Sequence, residues 1–104
     1  EDLSFYHYES GEYEKALELF KVKTDIASRF YTAQSLMALH EYDRASQIFE
    51  DLSKKSNKFQ APSKWYLALA LLRLGRVDES EILLRELEKD SDYNLKSTKL
   101  LNEL

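Results

Sequence analysis

Three ten-residue stretches share one rhythm of apolar and polar positions: GEYEKALELF at 11–20, HEYDRASQIF at 40–49 and GRVDESEILL at 75–84. Counted from Gly11, His40 and Gly75, the residue two later is Tyr13, Tyr42 or Val77. Three further on stand Ala16, Ala45 and Ser80, and four beyond those Phe20, Phe49 and Leu84. Large, small, large at this spacing is one face of an α-helix. The next member of the series is Lys23, Leu52 or Leu87, so the first copy loses the pattern and its helix is expected to end early. Upstream of the same anchors the second copy carries Phe30, Ala33, Leu36, Met37 and Leu39, and the third Trp65, Ala68, Leu71, Leu72 and Leu74. The first copy carries the weaker set Glu1, Ser4, His7, Tyr8 and Ser10. Each unit therefore reads as helix, tight turn, helix. Gly11 and Gly75 stand where a first helix stops, and glycine takes left-handed turn geometry without steric cost. His40 fills the same slot and belongs to the few residue types enriched there.

Further punctuation sets the boundaries. Asp25 is suited to cap a helix over 26–39, and Pro62 fits the first turn of a helix over 61–74. Ser91 or Asp92 is expected to cap a last helix over 93–103 that buries Tyr93, Leu100, Leu101 and Leu104 behind a polar outer side, as a repeat stack closes its end. The expected architecture is all-α, a superhelix of helical hairpins with about seven helices. It divides into a partial first repeat (1–23), a second (24–58), a third (59–90) and a capping helix (91–104).

Composition supports this and removes several function classes. With one Pro and two Gly, the chain has too few turn residues for a sandwich or barrel, and helix formers dominate. The absence of Cys excludes disulfides, a thiolate metal site and a cysteine nucleophile. No apolar run approaches the roughly 20 residues needed to span a bilayer, so this segment is not expected to insert into a membrane. The chain opens on Glu1 rather than Met, which suggests a fragment or processed form.

The net charge of −4 is mild but unevenly placed. Residues 54–76 hold six bases and no acid, between two acidic flanks. The segment KKSNKF at 54–59, with Lys64, Arg73, Arg76, Phe59, Trp65 and Tyr66, could in principle pair phosphates with stacking platforms. Lys54 and Lys55 fall at a helix C-terminus, however, where cations offset the dipole, and nucleic acid is not the expected partner. His7 and His40 lie on different units with no metal-ligand spacing. His7 reads as half-buried packing and His40 as a turn residue. Two isolated glycines make no phosphate loop, and no Ser sits in a nucleophile elbow. Neither catalysis, nor a metal, nor a cofactor is expected.

The WYLALALLRLG of 65–75 and the three phrases at 11–20, 40–49 and 75–84 resemble tetratricopeptide repeats over about residues 1–90. The shared features are a small residue midway along the first helix (Ala33, Ala68), Gly then an aromatic at the turn, and Ala then an aromatic in the second helix. Ala45 to Ser80 is 35 positions, near that family's usual period of about 34. Ala16 to Ala45 is only 29, and the deficit is expected at the short junction Lys23-Thr24-Asp25. Ser80 for Ala, His40 for Gly and Val77 for an aromatic depart from the pattern. The third repeat is similar in style to those of bacterial cell-envelope proteins, and both the cytoplasm and the periplasmic side stay open. Because about three stacked repeats are needed for a shared core, the first helix is expected to fray or to follow further repeats.

The resemblance implies a non-enzymatic module that binds a peptide or helix of a partner protein, with the first helices lining a concave face. Position by position this puts Phe5, Tyr8 and Glu9 of the first unit on that face, Phe30, Gln34 and Met37 of the second, and Trp65, Leu69 and Arg73 of the third. Some of these must also be core, and the sequence does not separate the two. Trp65 is the expected anchor and Arg73 the orienting group. The Lys, Asn and Arg set with which one subfamily grips a C-terminal carboxylate is absent. The competing expectation is structural: a spacer, or weak self-association through residues 1–20.

Overall fold

The computed structural model describes residues 2–104. It is all-helical: α1 (Ser4–Glu9), α2 (Tyr13–Phe20), α3 (Ile26–Ala38), α4 (Tyr42–Ser53), α5 (Gln60–Arg73), α6 (Val77–Leu87) and α7 (Asn94–Glu103). Each helix packs chiefly against the next in chain order. The resulting helical repeat is elongated, 43 × 26 × 21 Å.

The three tight turns are one structure built three times. Gly11, His40 and Gly75 all have positive φ, at 78°, 62° and 77°. Their N–H groups donate to the carbonyls of Tyr8, Met37 and Leu72 at 3.0–3.1 Å, and the next residues, Glu12, Glu41 and Arg76, donate to His7, Leu36 and Leu71 at 2.8 Å. This pair of hydrogen bonds closes the ends of α1, α3 and α5. The same Glu12, Glu41 and Arg76 are the N-caps of α2, α4 and α6, with ψ of 68°, 64° and 66°. One residue thus ends one helix and starts the next, so the angle between them has little freedom.

The small residues sit where helices touch. Ala16, Ala33, Ala45, Ala68 and Ser80 are all fully buried. Ser80 is tolerated at an alanine position because its Oγ donates to the Ala68 carbonyl at 2.9 Å. Phe20, Phe49 and Leu84 fill the space beside them, and Leu52 and Leu87 extend the core along α4 and α6. Polar contacts repeat as well. Arg29 meets Asp51 at 2.7 Å and Lys64 meets Glu86 at 3.0 Å, each tying a first helix to its own second helix across the same sequence separation.

Other boundaries follow local chemistry. Asp25 caps α3 by accepting from the Ser28 N–H at 3.0 Å, and Pro62 lies in the first turn of α5. α2 stops at Phe20, as the loss of pattern at Lys23 predicts. At the end of the chain the expectations need correcting. The N-cap of α7 is Tyr93, without a side-chain cap of its own. The Asp90 carboxylate, not Ser91 or Asp92, accepts from the N–H groups of Asp92 and Tyr93. Ser97 is the buried residue of α7; Tyr93, Leu100 and Leu101 are half-buried, and Leu104 is exposed because it lies past the last turn.

α7 docks on α6 as α5 docks on α4. Tyr93, Ser97 and Leu101 repeat Phe59, Ser63 and Leu67 34 positions later, with Ser63 and Ser97 both fully buried. By position, α7 is the first helix of a fourth unit.

Candidate functional site

α1, α3, α5 and α7 occupy the first-helix positions of the stack, and aromatic rings on and beside them gather in one large group from Phe5 to Tyr66 and a separate pair, Trp65 and Tyr93. The Phe5 ring meets Phe20 at 4.9 Å and Tyr31 at 5.1 Å, both edge-on. Tyr8 meets Tyr31 at 5.1 Å and Tyr13 at 5.6 Å. Tyr31 leads on to Phe30 and Phe59, which stack on each other at 4.6 Å. Tyr66 touches Phe30 and stacks on Phe49, and Trp65 meets Tyr93 at 5.9 Å. The arrangement is not a bare trough. Each first-helix aromatic is partly roofed by one from the start of the next unit: Phe59 covers Phe30, and Tyr93 leans on Trp65.

That roofing corrects one expected groove residue. Phe30 is only 5% exposed, enclosed by Tyr31, Phe49, Phe59 and Tyr66, and has no surface to offer a partner. Met37 is half-buried and packs on the same core. Gln34 and Leu69 are half-buried, Phe5 and Glu9 are exposed, and Tyr8 lies between. Trp65 is half-buried, with the Lys96 ammonium 5.3 Å from its ring centre. Arg73 is exposed and lays its guanidinium 5.7 Å over the Tyr42 ring. The structure thus brings Phe5 and Tyr8 together through Tyr31, while Trp65 belongs with Tyr93 and Arg73 with Tyr42.

Three of these aromatics were not expected on this face: Tyr31, Tyr66 and Tyr93. A signal for the first two was available, since Tyr31 and Tyr66 stand at the same position in two units, 35 residues apart. No hydrogen bond among the described residues uses a tyrosine hydroxyl. Burial pushes the Tyr8 phenol above its ordinary value, and the neighbouring phenols of Tyr13, Tyr31 and Tyr66 add to the shift. Tyr93 is raised in the same way, by burial first and then by Tyr66, Asp90 and Asp92.

The histidines serve the scaffold. His40 holds its turn, stacked on Tyr42 at 5.6 Å. His7 is half-buried with Nδ1 2.9 Å from the Glu12 carboxylate, and this contact, with help from Lys15, keeps the Glu12 carboxyl below its ordinary range. In the basic segment, Lys54 is the C-cap of α4 and pairs with Glu50 at 3.5 Å.

A second concavity lies at the α2–α3 junction. Because α2 ends a turn early, a notch of about 490 Å³ opens between its C-terminal end, α3 and α4, lined by Lys21, Lys23, Thr24, Arg29, Thr32 and Ile48. Its three cations are engaged with Glu18, Asp2 and Asp51. The 29-residue interval between Ala16 and Ala45 is the trace of this notch in the sequence.

Fold and geometry define a class, an all-α helical repeat, and no helix is long and apolar enough to cross a membrane. The chain matches no protein-family model, and comparison with curated proteins and with solved structures gives no match either.

Proposed function

We propose that the chain is a tetratricopeptide-like interaction module that binds a segment of a partner protein on its first-helix face. The observation that carries this reading is the set of half-buried aromatics on and beside the first helices, whose phenols have no hydrogen-bond partner among the described residues. Rings with a polar tip supply contact area at low entropic cost and still orient a ligand, which is why Tyr and Trp recur as anchors. The thrice-built turn and the twice-built ion pair support the repeat assignment, because they fix each hairpin alike.

A photo-crosslinking residue placed at Gln34, or at Leu69, tests the proposal against one placed at Gln47 on α4. Crosslinks to host proteins concentrated at the first two sites support it. Crosslinks that are equal everywhere, or that favour Gln47, overturn it.

A structural role is the second reading, and one observation favours it. Leu3, Leu19 and Val22 line an exposed concavity of about 400 Å³ at the α1–α2 end, with Val22 75% exposed. Self-association through that end would appear as a concentration-dependent mass in ultracentrifugation, abolished by Val22→Asp.

A further inference from the structure

The α1–α2 end of the stack is apolar where the inner units are covered. α5 packs on both α4 and α6. Its Lys64 and Ala68 meet α6 through Glu86 and Ser80. The neighbouring stripe Ser63, Leu67 and Ala70 is buried, with Leu67 in the cluster that holds Phe49 and Leu52 of α4. A first helix thus turns this stripe to the preceding unit. Counted back from the turns, Leu67 and Ala70 correspond to Thr32 and Ser35 in α3, and to Leu3 and Tyr6 at α1. Ser35 and Ala70 are fully buried, whereas Tyr6 is 62% exposed and Leu3 44%. Leu19 and Val22 continue the apolar end from α2, and with Leu3 they line the concavity of about 400 Å³. A further hairpin is a poor cover for this end. The distance between packed helices depends on the side chains at the contact, and a tyrosine ring stands where the inner units carry Ser or Ala.

Charge and relief both fit a second copy of the same chain. Beside the apolar patch Lys21 pairs with Glu18 at 2.9 Å, and Lys23 pairs with Asp2. These two pairs cancel, so they neither draw a charged partner nor repel the same end of another copy. The turn at 21–23 stands between two hollows, the concavity and the notch, and Lys23 lines both. Val22 projects from that turn, 75% exposed. A projection beside a hollow is complementary to itself about a two-fold axis. The opposite end of the stack offers no such match. The exposed residues of α7 are polar apart from Leu95, so a head-to-tail contact would set the apolar end on a wet helix.

On the structural reading of the domain, on which this inference rests, we propose that two copies pair end to end about a two-fold axis. Val22 of each copy meets Leu3, Leu19 and Val22 of the other, and the Tyr6 rings close the side of the contact. The end of a molecule measuring 43 × 26 × 21 Å offers a face of roughly 500 Å², short of the ~800 Å² per partner of a standard interface. The pair is therefore weak, forming at high concentration and dissociating readily.

The chain has no cysteine, so single introduced thiols report the contact on the full chain. Under mild oxidation, Val22→Cys is expected to form a disulfide-linked dimer about tenfold faster than Leu95→Cys at the opposite end, because pairing raises the effective concentration of one thiol at the other. Adding Tyr6→Ala to Val22→Cys should slow the reaction toward the Leu95→Cys rate. Both Val22 and Leu95 are exposed, so neither thiol disturbs the core. Equal rates for the two thiols, or a Val22→Cys rate that Tyr6→Ala leaves unchanged, overturn the inference. If the rates are equal while mass in ultracentrifugation still rises with concentration and Val22→Asp abolishes the rise, the two-fold pairing falls and self-association through this end stands. If the mass never rises, both fall.

Discussion

His40 adopts φ of 62° in the slot that Gly11 and Gly75 fill elsewhere. A side chain there costs roughly 1–2 kcal/mol in local sterics, and the stack on Tyr42 returns part of it. His40→Gly is therefore expected to stabilise the protein by about 0.5–1 kcal/mol in urea unfolding, whereas Gly75→Ala destabilises by about 1 kcal/mol. The second substitution meets no neighbouring atom, so its cost is purely conformational. The buried serines make a second contrast. Ser63 and Ser97 bury hydroxyls that have no hydrogen-bond partner among the described residues, while Ser80 donates to Ala68. Ser63→Ala is expected to be neutral or stabilising by up to about 1 kcal/mol, and Ser80→Ala to lose about 1 kcal/mol. Thermal melts of the two variants check the order. At this scale the turns were legible in the sequence, because only a few residue types take positive φ. The hydroxyl contacts were not, because a serine's partner depends on which helix faces it.

Among the elements, α2 is the exception, and Lys23 shows how the chain accommodates it. In α4 and α6 the matching residue is a buried leucine. Here the chain has left the helix, and the Lys23 ammonium turns back to the Asp2 carboxylate and to Ser4 Oγ at 2.9 Å. This clip ties the start of α1 to the α2–α3 junction. Lys23 is the main reason that the Asp2 carboxyl is held well below the usual carboxylate range, with Ser4 assisting. An unfolded aspartate titrates at about 3.9. Since the folded value is lower, the contribution is whole above about pH 4 and fades as the pH falls further. Hydrogen exchange in α1 should thus quicken more between pH 5 and pH 3 in the wild type than in Asp2→Asn, once intrinsic rates are divided out. The early end of α2 was readable from the lysine in an apolar series. The short Ala16–Ala45 interval marked where residues are missing, but not that a notch opens there, because its walls come from α3 and α4. The cap of α7 was misplaced by one or two residues for a similar reason: Ser91, Asp92 and Asp90 are all capping types, and only the backbone path selects Asp90.

For the whole molecule, stacking sets both stability and the make-up of the candidate face. Phe30 and Phe49 bridge units rather than filling one hairpin, so Phe49→Ala is expected to cost about 3–5 kcal/mol and to loosen α3, α4 and α5 together in circular dichroism melts. The same stacking explains what the sequence showed of the candidate face and what it withheld. Phe5, Tyr8, Trp65 and Arg73 reach the surface at first-helix positions, as their register implies. Phe30 does not, because Phe59 from the following unit covers it, and such cover depends on how far one hairpin advances on the last. Tyr31 and Tyr66 stand one residue beyond the expected positions, and enter the aromatic group through the same advance. The central claim is that identical turns stack the hairpins in order, so that rings of each unit meet rings of the next. Nuclear Overhauser contacts between aromatic rings test it most directly. The account predicts cross-peaks from Tyr8 to Tyr31, from Phe30 to Phe59 and from Trp65 to Tyr93. Their absence, with cross-peaks joining rings of α1 to those of α7 as in a closed bundle, would contradict it.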